Sequence, residues 1–310
     1  MEGLAVGADT VVIGENLVDL LVHSDHVEAV VGGGPLNVAR TLARLNSPVT
    51  LVSGISGDAF GSTIRSALVA DGVSLADNAV NSLPTTMAVV TLDPAGPRYH
   101  FHLQNTAAFD VALPTVADAR ALYVGTLGLI VDPMASVSEA AFVGAPSSTL
   151  RIIDPNCRPS ATADPDGFRA RLSRLFGVAD VVKVSVEDLD FLYGPGDHSR
   201  ALALLEAGAT MVVVTDGPEP LSVWHHDYRL TVPVVPAKVV DTVGAGDSFI
   251  GGFIAWWLGH HLSPADLATA PLVRSAIEAA SDISRRTCEQ AGANPPYASE
   301  LAGLEAWDWL

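Results

Sequence analysis

Basic residues are scarce in this chain. Lys and Arg number 17 against 35 Asp and Glu, a formal net charge of −18 over 310 residues. A surface of that sign repels phosphate backbones and anionic lipid, so no nucleic-acid or membrane partner is expected. Cysteine is almost missing. Cys157 and Cys288 stand far apart and form no metal-type spacing, which suits a reducing compartment. No apolar run is long enough to span a bilayer; Phe253–Leu258, flanked by Gly and His, reads as a buried helix. No basic segment followed by an apolar one opens the chain, so no signal peptide and a cytoplasmic location are expected. Internal repeats and low-complexity stretches are also lacking. What is present is apolar bulk: 49% hydrophobic residues allow a large core.

From Ala121 onward short apolar strands alternate with helices. Strands are expected at Leu122–Val124, Arg151–Asp154, Val181–Val184 and Met211–Thr215, with helices near Ala135–Gly144, Asp166–Phe176, Val186–Leu192 and Ser199–Ala207. That pattern predicts a three-layer α/β fold, a mainly parallel sheet covered by helices on both faces. Two hairpins interrupt the first half of the chain. One joins Leu17–Val22 to Val27–Val31 around Ser24-Asp25-His26; the other joins Thr85–Leu92 to Arg98–Leu103 around Asp93-Pro94-Ala95-Gly96-Pro97. Paired together they would form a small β-sheet lid from about residues 16–33 and 85–104, inserted in one domain spanning residues 1–310. At the other end of the chain, Trp307 and Trp309 are expected to pack on the surface of the core.

Ligands of open parallel sheets sit beyond the carboxyl ends of the strands. The residues there are Glu15 to Asp19, Asp154-Pro155-Asn156-Cys157-Arg158, Lys183-Val184-Ser185, Thr215-Asp216-Gly217 and the stretch Asp241-Thr242-Val243-Gly244-Ala245-Gly246-Asp247-Ser248-Phe249. In the last, a β-rich segment, Arg229 to Val240, is expected to run into a glycine turn, and a helix from Ser248 to leave it. Such a turn frees N–H groups at a helix N-terminus, a ready-made phosphate cradle. Asp247 beside that cradle has two readings. It is a helix cap stabilising by about 1 kcal/mol, or a base that takes a proton from a hydroxyl attacking the phosphate. Asn37, in the first turn of a helix opened by Gly32-Gly33-Gly34-Pro35, has a capping reading and a ligand-binding one. Lys183, at a strand end, is expected to be solvated. His100 and His102 share a strand face, but spacing places no further metal ligand beside them.

Asp241 to Asp247 resembles the D-T-x-G-A-G-D signature of the ribokinase-like carbohydrate kinases, the phosphofructokinase-B superfamily. Gly32-Gly33-Gly34-Pro35-Leu36-Asn37 resembles its N-terminal G-G-x-x-x-N motif, and Asp154-Pro155-Asn156-Cys157-Arg158 resembles the D-x-N-x-R stretch of bacterial fructokinases and 2-keto-3-deoxygluconate kinases. The resemblance implies ATP-dependent phosphorylation of a primary hydroxyl of a small sugar, with fructose first and 2-keto-3-deoxygluconate, ribose or a nucleoside as alternatives. It implies Asp247 as base, with Gly244, Ala245, Gly246 and the Asp247 amide as anion hole. Asp19, Gly33, Asn37, Asn156 and Arg158 would meet the sugar. Lys183, Ser185, Thr215, Gly217 and Thr242 would meet ATP. Asp188 would lie near Mg²⁺ and Asp241 near a monovalent cation such as K⁺.

Two stretches depart from the family pattern. Ser185-Val186-Glu187-Asp188 stands for N-x-x-E, and Thr215-Asp216-Gly217-Pro218-Glu219-Pro220 for T-x-G-x-x-G, where Pro220 cannot take positive φ. They keep open a different class of function, a catalytically silent sensor of sugar or nucleotide. Apolar lid residues such as Val27, Val31 and Val89 lack an obvious core, so a homodimer packed lid to lid is expected.

Overall fold

The computed structural model describes residues 9–76, 79–93 and 96–308. Pro94 and Ala95 of the second hairpin turn, and Trp309, lie outside the described residues. In chain order the regular elements are β1 (Thr10–Ile13), β2 (Leu17–Val22), β3 (Val27–Gly32), α1 (Gly34–Arg44), β4 (Val49–Val52), β5 (Ile55–Ser56), α2 (Ala59–Asp71), β6 (Ser74–Leu75), β7 (Val80–Asn81), β8 (Met87–Asp93) and β9 (Gly96–His102). They continue with β10 (Ala121–Gly125), α3 (Met134–Gly144), β11 (Leu150–Asp154), α4 (Pro165–Phe176), β12 (Val181–Ser185), α5 (Val186–Tyr193), α6 (Ala201–Glu206), β13 (Met211–Asp216), β14 (Glu219–His225), β15 (Arg229–Val232), α7 (Ala245–Gly259) and α8 (Ala270–Cys288).

Nine strands form the central sheet in the order β15-β14-β13-β12-β11-β10-β1-β4-β6. It is parallel from β13 to β6, and β14 and β15 add an antiparallel edge. Strand alternation sends side chains to opposite faces. Val12, Ile152, Met211 and Val213 pack with α1, α2, α7 and α8, while Val11, Ile13, Ile153, Val212 and Val214 pack with α3 to α6. Trp307 belongs to the first of these cores and is buried in it, deeper than the surface position expected.

A separate four-stranded sheet has the order β3-β2-β8-β9, with the two hairpins joined by parallel pairing of β2 and β8. The register aligns Val30, Asp19, Ala88 and Phe101 across it, and Glu28, Leu21, Val90 and Tyr99 in the next row of the same face. Val31 on the opposite face packs partly against the main core, so it is not left without a partner as expected.

The segment before the glycine turn differs from expectation. β15 stops at Val232, and Pro233 and Pro236 interrupt the residues beyond it. Proline offers no N–H to a ladder, so the chain leaves the sheet as an irregular loop. Helix α7 begins at Ala245 rather than Ser248, which puts Asp247 inside its first turn.

Candidate active site

Two helix N-termini converge beyond the sheet. Helix α1 starts after Gly33, at φ 116°, and α7 after Gly244, at φ 76°. Side chains avoid that backbone region, and crowding adds a second reason for glycine at both joints. A Cβ at Gly33 would stand 2.7 Å from Glu15 O, and one at Gly244 would stand 2.5 Å from the Ala293 Cβ. Neither helix end carries a side-chain cap. The Ala245 N–H donates to Thr242 O at 3.2 Å, so the expected four-amide cradle loses that member. The Gly246 and Asp247 amides still precede any intrahelical acceptor.

Asn37 and Asp247, 210 positions apart, meet here: Asn37 Nδ2 donates to Asp247 Oδ2 at 2.9 Å. Asn37 therefore does not cap its own helix; its Oδ1 is buried and unpartnered within the chain. The second oxygen, Asp247 Oδ1, faces Gly34. A Cβ at that glycine would come within 3.2 Å of it and within 2.6 Å of Thr126 Oγ1. Burial raises the Asp247 pKa, while the Asn37 hydrogen bond and the Lys183 and Arg158 charges pull it back.

Lys183 is buried rather than solvated, and its Nζ donates to Asp154 Oδ2 at 2.9 Å. Burial disfavours its charge, but Asp154, Asp188 and Asp247 outweigh that and hold the ammonium above its ordinary pKa. Its Nζ lies 3.0 Å from where a Gly246 Cβ would be, so the glycine admits the lysine to the cradle. Glu15 is fully enclosed. Gly128 N–H donates to its Oε2 at 3.0 Å, and burial pushes its pKa up to about 7. Burial likewise pushes Asp19 up to about 6, against the pull of Arg158. Arg158 Nη1 is oriented by the Asn156 and Cys157 carbonyls, each at 3.1 Å.

These groups line one cleft of about 740 Å³, within the ordinary range for a small-molecule site. It gathers Asp19, Gly33, Asn37, Asn156, Arg158 and Lys183 together with Thr215, Gly217, Thr242 and Gly244 to Asp247. Tyr99 and Phe101, stacked at 5.8 Å on the Asp19 face of the small sheet, lean over it. Ser185 and Asp188 are not among its lining residues. They form a capping box at the start of α5, and Asp188 Oδ1 also accepts from the Cys157 N–H at 2.6 Å. Asp241 is likewise engaged within the chain, accepting the N–H groups of Val243 in its own loop at 3.0 Å and of Gly292 beyond α8 at 2.9 Å. The positive φ of the 215–220 loop is taken by Gly217, and Pro220 falls within β14.

Sequence reasoning missed several lining residues. Thr126 follows β10 directly and holds φ 54°, a strained value for a β-branched residue. Its Oγ1 accepts from Asn156 Nδ2 at 3.3 Å. The strand-end rule, applied to β10 as to its neighbours, finds it. Val234 to Ala237, Val239 and the α8 residues Ser281, Ser284 and Arg285 carry no such signal.

Comparison with known proteins places this architecture in one class. Residues 6–298 match the family described as pfkB family carbohydrate kinase. The chain belongs to that family and is a sugar kinase. A fructokinase of Rhizobium leguminosarum bv. trifolii is 35% identical over 252 residues, covering 78% of this chain and 77% of that protein. A fructokinase of Klebsiella pneumoniae is 30% identical over 269 residues, covering 84% and 88%. Among solved structures, fructokinase from Vibrio cholerae O395 in its fructose, ADP and calcium ion bound form superposes with a TM-score of 0.78 at 26% identity, over 92% of this chain and 94% of that one. Fructokinase from Xylella fastidiosa with bound ATP shares the fold, with a TM-score of 0.84 at 24% identity over 92% and 94%.

Proposed function

We propose that this chain transfers the γ-phosphoryl group of ATP to a primary hydroxyl of fructose. The observation that carries the reading is the Asn37–Asp247 pair, set between two uncapped helix N-termini in the wall of the cleft. Asn37 holds Oδ2 of Asp247 and leaves Oδ1 to receive the proton of the attacking hydroxyl. A buried carboxylate with a raised pKa is a stronger base than a solvated one. The sugar oxygen attacks phosphorus in line as its proton passes to Oδ1, and the bond to the ADP oxygen breaks. The Gly246 and Asp247 amides, the two helix dipoles and the Lys183 ammonium receive the phosphoryl charge. Asp19, Asn156 and Arg158 orient the sugar beneath Tyr99 and Phe101. Closure of the small sheet over the cleft excludes water, which would otherwise accept the phosphate.

The carboxylates nearest the nucleotide side have little to spare for a metal. Asp188 is committed to Ser185 and Cys157, and Asp154 to Lys183. This donor set fits Mg²⁺ carried mainly on ATP phosphates. When bound, the ion neutralises phosphate charge. A Vibrio cholerae fructokinase variant in fructose, ADP and potassium ion bound form, 25% identical over 94% of this chain, supports adding K⁺ near the Asp241 loop. The rate in KCl against NaCl tests this.

The outer lid face carries Val22, Val27 and Ala29, all exposed, with Leu20 and Val89 half-buried. A second copy packed on this face, giving a homodimer, would cover them. Sedimentation as a monomer at micromolar concentration would contradict it.

ADP release over a panel of fructose, 2-keto-3-deoxygluconate, ribose and nucleosides tests the substrate. The expected result is the highest kcat/KM with fructose. A higher value for another sugar moves the substrate assignment. No turnover with any, alongside thermal stabilisation by one of them, makes the protein a sensor.

A further inference from the structure

We propose that the tip of the first lid hairpin binds one divalent cation of the zinc class through His23, His26 and Glu28. One donor atom from each residue lies within 4.8 Å of the other two. The hairpin itself creates this juxtaposition. β2 and β3 pair Leu21 with Glu28 and Val22 with Val27, and the His23 N–H closes the turn on His26 O at 2.9 Å. Alternation then carries His23 with Leu21, and His26 with Glu28, to one side of the hairpin. The imidazoles stack with centroids 4.4 Å apart and planes 8° from parallel. Glu28 Oε2 stands 3.6 Å from His23 Nε2.

A second carboxylate completes the pattern. Asp25 Oδ1 lies 2.8 Å from His26 Nδ1. A carboxylate at this distance selects the Nδ1–H tautomer and leaves Nε2 as the basic nitrogen, as an orienting partner does for a metal-bound histidine. Two imidazoles and one carboxylate select Zn²⁺, Co²⁺ or Ni²⁺ over Mg²⁺ or Ca²⁺, which prefer oxygen donors. Ligand distances near 2.0–2.2 Å require the donors to close to roughly 3.3 Å from one another. The Glu28 and His26 side chains are more than half exposed and His23 is 35% exposed, so rotamer changes supply that movement. The fourth position of a tetrahedral ion stays open to water.

The site is separate from the cleft chemistry, and none of its residues lines that cleft. A bound ion would cross-link the two strands of the hairpin at its free end.

The test uses the full chain, stripped of metal and titrated with Co²⁺, then with Zn²⁺ in competition. The wild type should take up one Co²⁺ per chain, with the visible bands of a tetrahedral nitrogen–oxygen site and no thiolate charge-transfer band. The double variant His23→Ala/His26→Ala should lose that uptake, and Glu28→Gln should weaken it at least tenfold. Turnover with Mg²⁺ as the only divalent ion should be unchanged in all three proteins. Equal uptake by wild type and double variant, no uptake by the wild type, or a thiolate band placing the ion on a cysteine would each overturn the proposal.

Discussion

The two walls of the cleft are built on opposite principles. The wall shared by β1, β11, β12, α1 and α7 buries Glu15, Asn37, Asp154, Lys183 and Asp247. The wall from Val234 to Val243 is an apolar loop, with Val235 61%, Val239 60% and Val243 49% exposed. The first is fixed by hydrogen bonds to buried charged groups; the second hangs on backbone bonds from Val240 and Asp241 to the Cys288 carbonyl. Buried charges tolerate little change, because each depends on its partners. An apolar loop offers area rather than geometry. In the proposed reading the first wall performs chemistry, and we infer that the second, which lines the same cleft up to Thr242 and Val243, receives the nucleotide. The departures at Ser185 and Pro220 leave the reacting groups untouched because neither residue lines the cleft.

Removing one charge from the buried wall should have the largest effect on the fold. Lys183→Met leaves Asp154 buried without its cation, beside the negative Asp188 and Asp247. Breaking such a pair costs about 3–5 kcal/mol, to be read from urea unfolding. Unchanged stability would mean that the wall is not held by its charges.

Glu15→Gln sharpens the same point through pH. Folded Glu15 titrates at about 7 against an ordinary 4.5. Between these values the native state keeps a proton that the unfolded chain has released. Its contribution to stability is therefore complete below about 4.5 and lost as pH rises through about 7. The variant should lack that decline, a difference of up to about 3 kcal/mol. Parallel stability–pH curves for the two proteins would show that Glu15 ionises normally.

Asn37→Ala removes one hydrogen bond to a charged group, worth about 1.5–3 kcal/mol. kcat should fall by roughly 10–100-fold if the bond is used in the transition state. Since that bond lowers the Asp247 pKa, the acid limb of the pH–rate profile should move to higher pH. An unmoved limb would detach Asn37 from the base. On the other wall the effect should be smallest. Val235→Ser should raise KM for ATP by a few-fold, with kcat and the fructose KM unchanged; a loss of kcat would erase the contrast between the walls.

Much of the fold and the site was legible in the sequence because it is local. Alternating apolar strands and helices announce the three layers, and Gly32–Asn37 and Asp241–Phe249 announce the two helix joints. What was hidden depends on contacts far apart in the chain. Nothing near Lys183 says that Asp154 will neutralise it, so a solvated lysine was the reasonable expectation. Nothing near Asn37 says that its amide will meet a carboxylate 210 positions away. Arg229–Val240 read as a β-rich segment because its valines outweighed Pro233 and Pro236, although a proline removes a ladder donor whatever its neighbours are.

The proposed chemistry stands or falls on Asp247 removing the proton from the sugar hydroxyl. The decisive experiment is ADP formation from ATP and saturating fructose by Asp247→Asn beside the wild type, with fructose binding measured on both by calorimetry. Turnover should drop by about 10²–10⁴-fold while the variant still binds fructose. Turnover within a few-fold of the wild type would remove Asp247 from the base role.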